Sequence, residues 1–478
     1  MPESAPRSRG FVWALAILLV LGLSLRLYHL GSGLWFDEIE TLVEYVRSPL
    51  GTILSDYHST NQHPLYSVLA RLSLTLLGES GAALRLPAAL LGTTSLWAYY
   101  RLASDVGDRR EALLGTALLT VSYHHVWFSQ NARGYSGLLL LTLLSTTAFL
   151  RLLRDAKPGW GTAVAYGITA ALAVYIHPTA LLLPVSHALI FLAVWWAARR
   201  TGRRVGSAPA TAILLAAGFT LLLYLPMLSQ VVATFSRPNP YAARTVWQSP
   251  LWLLTESARG LAAGLPGGWL AIAAGGLLLA AGLASFWRQR PALIGVFLLP
   301  ALLTALAALG MHQNLWPRFF FFSAGFAVLL AIRGGFVLCG LLLRDRGPVV
   351  ATGGAILAIL ASALTVPRAW RPKQDFVGAE HFVDQARSAG DAVVTVDLTE
   401  YPYRRWLRRD WPVVNGVGEL EAIERDHRRT WLLYTFPIRL AVVQPGIWQR
   451  VTAGYDTVAV FPGTVGGGAV VVMASKLR

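Results

Sequence analysis

The chain has 478 residues, of which 55% are hydrophobic and 14% are charged, and its mean hydropathy is +0.51. Soluble domains carry about 25% charged residues, so this composition excludes an ordinary globular protein and predicts an α-helical polytopic membrane protein. The net charge of +16 lies mostly in arginine clusters between apolar runs, where loops meet anionic lipid, so we expect no nucleic-acid partner. The single cysteine, Cys339, excludes an internal disulfide and a cysteine metal site.

Eleven apolar segments have about the length of a membrane-crossing helix. They are residues 11–30, 82–103, 111–125, 135–152, 161–176, 178–198, 209–229, 266–286, 291–310, 319–341 and 348–366. Basic residues fill every second break between them, which predicts a cytoplasmic N-terminus and an outer location for everything after residue 366. Lysine is nearly absent and arginine is abundant, which favours the plasma membrane of a bacterium.

The composition changes after the last apolar segment. We therefore predict a transmembrane domain over residues 1–366 and a small extracytoplasmic α/β domain over residues 367–478. Helical spacing marks "FVGAEHFVDQAR" and "GELEAIERDHRR", whereas "DAVVTVD" and "TWLLYTF" have the composition of buried strands. The stretches "GIWQRVTAGYDTVAVFPG" and "GAVVVMAS" are expected to add further strands.

The first outer loop, residues 31–81, is unusually acidic. Its carboxylates are Asp37, Glu38, Glu40, Glu44 and Asp56. In "WFDEIETLVEYV" the apolar residues recur at helical spacing, which predicts an amphipathic helix in the membrane interface, and a second amphipathic segment opens at "HPLY". The acids admit two interpretations: they stabilise the N-terminus of a solvated helix, or one of them is a general base at the membrane surface.

Two further outer breaks bring polar residues to the same face of the membrane. "SYHHVWFSQNARGYS" is too short to form a domain, yet it contains His124, His125, Gln130, Arg133 and Tyr135. "MHQNLWPRFFFFSAG" places a further arginine, at position 318, on the outer face. Such a cluster needs water, lipid headgroups or a substrate as partner.

Taken together, these pieces resemble the GT-C class of membrane glycosyltransferases, in the group that includes protein O-mannosyltransferases and the lipid A aminoarabinose transferase. The matching pieces are the acidic pair after the first segment, "HPLY", "LRLPAALLGTTSLWAYYRLA", "WFSQNARGYS", "YIHPTALLL" and "WPRFFFFSAGFAVLLA". They follow one another in order over roughly residues 11–340. The departures from the expected pattern lie at Asn131 and Gly134, where an acid and a bulky residue are commoner, and at "HPLY", which lacks a second proline.

The resemblance implies an inverting transfer of a sugar from a polyprenyl-phosphate donor on the outer face. Asp37 is then the expected general base, with Glu38 supporting it or positioning the acceptor. The expected donor-phosphate ligands are Arg133, Arg318, His63 and Arg26. The expected contacts to the acceptor or the loop are Tyr66, Gln130 and Tyr135.

Several alternatives stay open. The sugar can be a hexose or a pentose, and the acceptor can be a hydroxyl or a phosphate group of a glycan, a lipid or a protein. A protein acceptor would make the enzyme a protein O-mannosyltransferase proper. The chain could also be a lipid or polysaccharide transporter, or a scaffold without catalysis. We expect no required cofactor and no metal. The alternative is a divalent metal site formed by members of a group of five side chains. Those side chains are Asp37, His58, His63, His124 and His125.

Overall fold

The computed structural model describes residues 9–155, 158–237, 247, 249–265 and 267–476. The chain divides into two compact units. The first comprises Met1–Leu30, Pro49–Gly78 and Ala83–Ala369, and the second comprises Gly31–Ser48, Glu79–Ala82 and Trp370–Arg478. The second unit therefore takes in part of the first outer loop. The predicted domain boundary after residue 366 stays a prediction.

The first unit is helical. Its α-helices are Arg9–Leu27, Leu50–Ser55, Pro64–Leu77, Gly81–Val106, Arg109–Thr120, Tyr123–Ser129, Tyr135–Arg154, Trp160–Ile176, Leu182–Arg200, Ala208–Tyr224, Leu228–Ser236, Pro250–Gly264, Trp269–Gln289, Pro291–Gly310, Ala324–Leu343, Gly347–Ala363 and Val366–Ala369. Short 3-10 turns join several of them, at Pro178–Leu181, Leu225–Met227, Pro317–Ser323 and Arg344–Arg346. Each predicted apolar segment is mostly helical in its described residues, although residues 111–125 are divided between two helices and residue 266 lies outside the described part of the chain.

Within the described part of the chain, seven helical stretches are long and apolar enough to cross a bilayer. They are Arg9–Leu27, Tyr135–Arg154, Pro178–Arg200, Ala208–Ser236, Trp269–Gln289, Pro291–Gly310 and Pro317–Ala369. The last has 53 residues and contains two of the predicted spans. The prediction of a polytopic α-helical membrane protein is confirmed, and the count of eleven spans stays a prediction.

The helix Tyr135–Arg154 lies at the centre of the first unit, where 72% of its most apolar window is buried, against 11% for Arg9–Leu27. Tyr135, Leu139 and Phe149 along this helix belong to the main apolar core. Its N-terminal end lies close to His63 and His177, since the ring centroid of Tyr135 is 5.5 Å from that of His63 and 5.4 Å from that of His177. The position of this helix therefore decides which polar side chains come together.

The second unit contains a mixed four-stranded sheet. Its strands are β1 (Ala392–Thr395), β2 (Thr430–Tyr434), β3 (Tyr455–Phe461) and β4 (Val470–Ser475). The spatial order is β1-β2-β4-β3, with β1 parallel to β2 and the other pairs antiparallel. Val394 pairs with Leu432, which in turn pairs with Met473, and this row belongs to the core of the unit. The small C-terminal α/β domain is thus confirmed.

Helices complete the second unit. From the first outer loop come the α-helix Phe36–Glu40 and the π-helical turn Thr41–Val46, and the remaining helices are Phe376–Ala386, Val417–Asp426, Pro437–Val443 and Pro445–Gly454, with short turns at Asp397–Thr399 and Pro402–Trp406. One prediction was wrong: the first half of "GIWQRVTAGYDTVAVFPG" is helix rather than strand. Ile447 and Val451 stand four residues apart and are both buried, so a helix places them on one face of the core.

Candidate functional site

Four cationic or imidazole side chains of the first unit come from three outer breaks and the first outer loop. They are His63, Arg133, His177 and Arg318, and we call them the arginine–histidine cluster. His63 and His177 each occupy the N-cap position of a helix whose first residue is proline. Proline is favoured there because its missing N–H would have no helical partner. The two histidines are thereby held at helix starts.

The imidazoles lie against one another, with ring centroids of His63 and His177 4.7 Å apart. The backbone N–H of Gly134 donates to His63 Nδ1 at 3.0 Å. A Cβ at Gly134 would stand 2.6 Å from that nitrogen and 2.6 Å from the carbonyl oxygen of Ile176. Glycine at this position therefore permits the close approach that joins the two breaks.

Both histidines have a lowered pKa. Burial is the main cause, and the positive charges of Arg133 and Arg318 act in the same direction on each. The pKa of His63 lies well below its ordinary value, and that of His177 falls to about 3. Both imidazoles are therefore neutral at physiological pH, and the positive charge of the cluster comes from the two guanidinium groups.

The two arginines differ in environment. Arg133 is 2% exposed, and its Nη2 donates to Asn61 Oδ1. Arg318 is half-buried in the turn Pro317–Ser323, and its guanidinium carbon lies 5.2 Å from the ring centroid of Trp316. Burying a guanidinium costs free energy unless anionic or polar groups accept its hydrogen bonds. A site with two such groups is suited to an anion.

Two buried tyrosine hydroxyls belong to the same region. The ring centroid of Tyr135 lies 5.5 Å from that of His63. Burial raises the pKa of Tyr57, and the positive charge of Arg133 partly offsets that increase. Among the described residues, neither hydroxyl has a hydrogen-bond partner. Buried polar groups in folded proteins are nearly always satisfied. These hydroxyls therefore provide hydrogen-bonding capacity for a polar ligand or water.

The predicted base, Asp37, belongs to the second unit, in the second position of the helix Phe36–Glu40. Its side chain is 7% exposed, and Glu38 beside it is fully buried. Glu38 Oε2 accepts a hydrogen bond from the Trp35 backbone N–H at 3.3 Å. Glu38 thus caps the N-terminus of its own helix, which is one of the two interpretations given above for the acids of this loop. The role of Asp37 as general base stays a prediction.

The other acids of this segment contact nearby side chains. Glu40 accepts from the Tyr45 hydroxyl at 3.3 Å, and Glu44 accepts from the Tyr401 hydroxyl. The Glu44 carboxylate also lies 3.7 Å from the guanidinium of Arg405. Glu40 and Glu44 therefore make contacts within the second unit.

Arg26 makes contacts within the protein. It is fully buried and donates to the carbonyl oxygen of Gly22 at 2.7 Å, while its Nη2 lies 2.8 Å from His125 Nδ1. Gln130 Nε2 donates to the carbonyl oxygens of Arg26 and Tyr28 at 3.0 and 2.5 Å. These contacts give both residues a structural role, and their predicted ligand roles remain untested.

Tyr66 is also fully buried. Its hydroxyl donates to the carbonyl oxygen of Leu84 at 2.7 Å, which ties the helix Pro64–Leu77 to the helix Gly81–Val106. The predicted contact between Tyr66 and the acceptor remains a prediction.

The histidines considered for a metal site have other partners. His58 lies 3.2 Å from Asp56, His124 lies 2.9 Å from the carbonyl oxygen of Gly260, and His125 contacts Arg26. In the ranges that the structure describes, no group of three or more His, Cys, Asp or Glu side chains is placed to hold a metal ion. The expectation that the chemistry needs no metal stays a prediction.

Sequence reasoning missed two members of this region. His177 and Tyr57 were not among the predicted site residues, and His177 accepts a hydrogen bond from the Thr179 N–H at 3.3 Å. A signal for His177 was present, because His-Pro occurs at the start of two helices. Tyr57 offers no comparable signal.

The fold is that of a known class of membrane proteins. The structure has the fold of the GT-C membrane glycosyltransferases, and the resemblance found in the sequence is confirmed. A family profile described as dolichyl-phosphate-mannose-protein mannosyltransferase matches residues 61–229. His63, Arg133 and His177 lie inside that range, whereas Asp37 and Arg318 lie outside it.

Individual solved structures are similar over most of the chain. ArnT from Cupriavidus metallidurans bound to undecaprenyl phosphate matches with a TM-score of 0.53 and 12% identity, over 97% of this chain and 97% of that one. The archaeal oligosaccharyltransferase AglB from Archaeoglobus fulgidus, in complex with an inhibitory peptide and a dolichol-phosphate, matches with a TM-score of 0.55 and 12% identity, over 98% of this chain and 74% of that one. No curated protein sequence matches the chain significantly.

Proposed function

We propose that the chain is an inverting glycosyltransferase that moves a sugar from a polyprenyl-phosphate donor to an acceptor on the outer face of the plasma membrane. The observation that carries the proposal is the arginine–histidine cluster, with two guanidinium groups beside two neutral imidazoles in a chain of GT-C fold. The similar ArnT and AglB structures contain undecaprenyl phosphate and dolichol-phosphate. A lipid phosphate fits the charge of this cluster.

In the proposed reaction, an acceptor hydroxyl oxygen attacks the anomeric carbon of the sugar. The bond from that carbon to the phosphate oxygen breaks, and polyprenyl phosphate leaves with the bonding electrons. Asp37 takes the proton of the hydroxyl as general base. Arg133 and Arg318 stabilise the charge that develops on the leaving phosphate, and His63 and the Tyr135 hydroxyl complete its hydrogen bonds.

Two features limit the choice of acceptor. The family profile over residues 61–229 describes protein mannosyltransferases, which supports a protein hydroxyl as acceptor and mannose as the sugar. The profile covers residues 61–229 alone, whereas the similarity to ArnT covers 97% of both chains and concerns a lipid carrier, undecaprenyl phosphate. We therefore propose the donor class and leave the acceptor to experiment, with protein O-mannosylation as the second candidate.

The test uses full-length protein in nanodiscs with a panel of polyprenyl-phosphate sugars and an envelope extract as acceptor source. Release of polyprenyl phosphate is followed by mass spectrometry. We expect release from one donor and a loss of about 100-fold or more in Asp37→Asn, since a positioned base contributes 10²–10⁴-fold. Asp56→Asn, which changes an exposed carboxylate of the same loop, serves as the matched control and should retain activity.

Three outcomes distinguish the possibilities. Release from one donor that is lost only in Asp37→Asn supports the enzyme and its base. Release that Asp37→Asn leaves intact keeps the enzyme and refutes the base assignment. No release from any donor refutes the transferase and favours a transporter, which transport of the labelled lipid across vesicles would then reveal.

A further inference from the structure

The helix that bears Asp37 is attached to the C-terminal segment of the chain at both of its ends. This helix and its continuation, residues 36–46, belong to the same compact unit as Trp370–Arg478. We propose that Gln374 and Tyr401 are positioning residues, which orient the Asp37 carboxylate by fixing the two ends of residues 36–46. The proposal rests on the proposed function, and it gives the extracytoplasmic domain a part in the chemistry.

Gln374 fixes the first end. Its Oε1 accepts a hydrogen bond from the Phe36 backbone N–H at 3.0 Å. N–H groups in the first turn of a helix have no partner within the helix, so an outside acceptor is needed. The Nε2 of Gln374 donates to Thr435 Oγ1 at 3.0 Å, directly after strand β2. The helix start is therefore tied to the sheet through a side chain that is 1% exposed.

Tyr401 fixes the second end. Its hydroxyl donates to Glu44, and its ring centroid lies 5.8 Å from that of Phe36. Burial and the Glu44 carboxylate both raise the pKa of Tyr401, so the hydroxyl stays a proton donor throughout the physiological range. One side chain thus contacts residues at both ends of the segment that carries Asp37.

Asp37 lies between these two attachments. Its backbone carbonyl accepts from Thr41 Oγ1 at 2.7 Å, which joins the turn that bears Asp37 to the continuation of the helix. Because the carboxylate is attached to the backbone through a single methylene group, it moves with the helix. A rotation of the helix about its axis would swing the carboxylate away from the acceptor hydroxyl. Misplacement of a catalytic group by about 1 Å can reduce the rate 10²-fold, so loss of either attachment should lower kcat.

The experiment compares Tyr401→Phe and Gln374→Ala with a matched control in full-length protein. The control is Tyr455→Phe, which removes a similar hydroxyl-to-carboxylate hydrogen bond, to Glu424 at 2.9 Å, away from residues 36–46. We expect kcat to fall roughly 10- to 100-fold in the two test variants, with the KM for the donor unchanged and with the control close to wild type. Gln374→Glu, which retains an acceptor oxygen, should recover most of the rate.

A double-mutant cycle separates positioning from general damage to the fold. If Tyr401 acts through Asp37, then Tyr401→Phe has no further effect on the residual rate of Asp37→Asn. An equal loss in both backgrounds, or an equal loss in Tyr455→Phe, would overturn the proposal while the enzyme remains active. A wild-type protein without transferase activity refutes the proposed function instead, and with it any catalytic positioning.

Discussion

The substitution Arg133→Lys tests the arginine–histidine cluster most directly. Arg133 is almost fully buried, and its Nη2 donates to Asn61, so its guanidinium group is held in a fixed orientation within the cluster. A lysine keeps the charge but presents a single point donor rather than a planar fork. If Arg133 binds the donor phosphate as proposed, lysine at this position makes one charge-assisted hydrogen bond fewer to it.

A hydrogen bond to a charged group contributes about 1.5–3 kcal/mol. At about 1.4 kcal/mol per factor of ten, Arg133→Lys should reduce kcat/KM for the donor by roughly 10- to 150-fold. Arg133→Met, which also removes the charge, should cost more. The assay is the initial rate of polyprenyl-phosphate release against donor concentration in nanodiscs.

The matched control is Arg151→Lys in the last turn of the helix Tyr135–Arg154, which begins two residues after Arg133; there the arginine bonds Asp105 at 2.8 Å. This exchange should leave kcat/KM for the donor within a factor of about two, because partly exposed ion pairs contribute little. The reasoning is refuted if Arg133→Lys and Arg133→Met both retain the wild-type kcat/KM, or if Arg151→Lys lowers it as much as Arg133→Lys does.

Three further outcomes concern stability. Tyr66→Phe should lower the unfolding free energy by about 1 kcal/mol, because it removes the bond to the Leu84 carbonyl; donor KM should not change, and a raised KM would point to the predicted ligand role. Arg26→Met should lower the unfolding free energy by about 2–4 kcal/mol, because it removes two short hydrogen bonds. A change in donor KM without a change in melting temperature would instead support phosphate binding by Arg26. Burial lowers the pKa of His177 to about 3 in the folded protein, whereas the pKa of an unfolded histidine is about 6.5. Below pH 6.5 the unfolded chain therefore binds a proton that the folded chain does not, and stability should fall as the pH drops from 6.5 towards 3. His177→Gln should make that fall shallower by up to about 1.4 kcal/mol per pH unit, as seen in melting temperatures at pH 7, 6 and 5, and an unchanged slope would contradict the buried neutral imidazole.

The membrane part of the fold could be predicted from the sequence because the bilayer imposes a simple rule. A crossing helix needs about 20 apolar residues, and each such segment was found to be mostly helical in its described residues. At residues 111–125 the rule does not predict the helix boundaries. Ser122 caps a second helix by accepting from the His125 N–H, so local hydrogen bonding divides what hydropathy presents as one run.

The C-terminal unit was harder to predict because its helices and strands are short. "GIWQRVTAG" alternates small, polar and apolar residues, and only the buried face shared by Ile447 and Val451 shows that it is helix. The site shows the same limit. The individual motifs around His63 and Arg133 were visible, but the contact between Gly134 N–H and His63 joins residues 71 positions apart, and no local pattern specifies such a pairing.

The bond between Phe36 and Gln374 also has a consequence for biosynthesis. Its partners are 338 positions apart in the chain, so the Asp37 helix emerges from the ribosome long before the residue that caps it. At a translation rate of 5–20 residues per second, the delay is about 17–70 s. During that interval the membrane helices can insert, while the acidic helix has no completed attachment. A prematurely terminated chain would thus contain its membrane helices and its aspartate, yet lack the side chain that caps the start of the aspartate's helix.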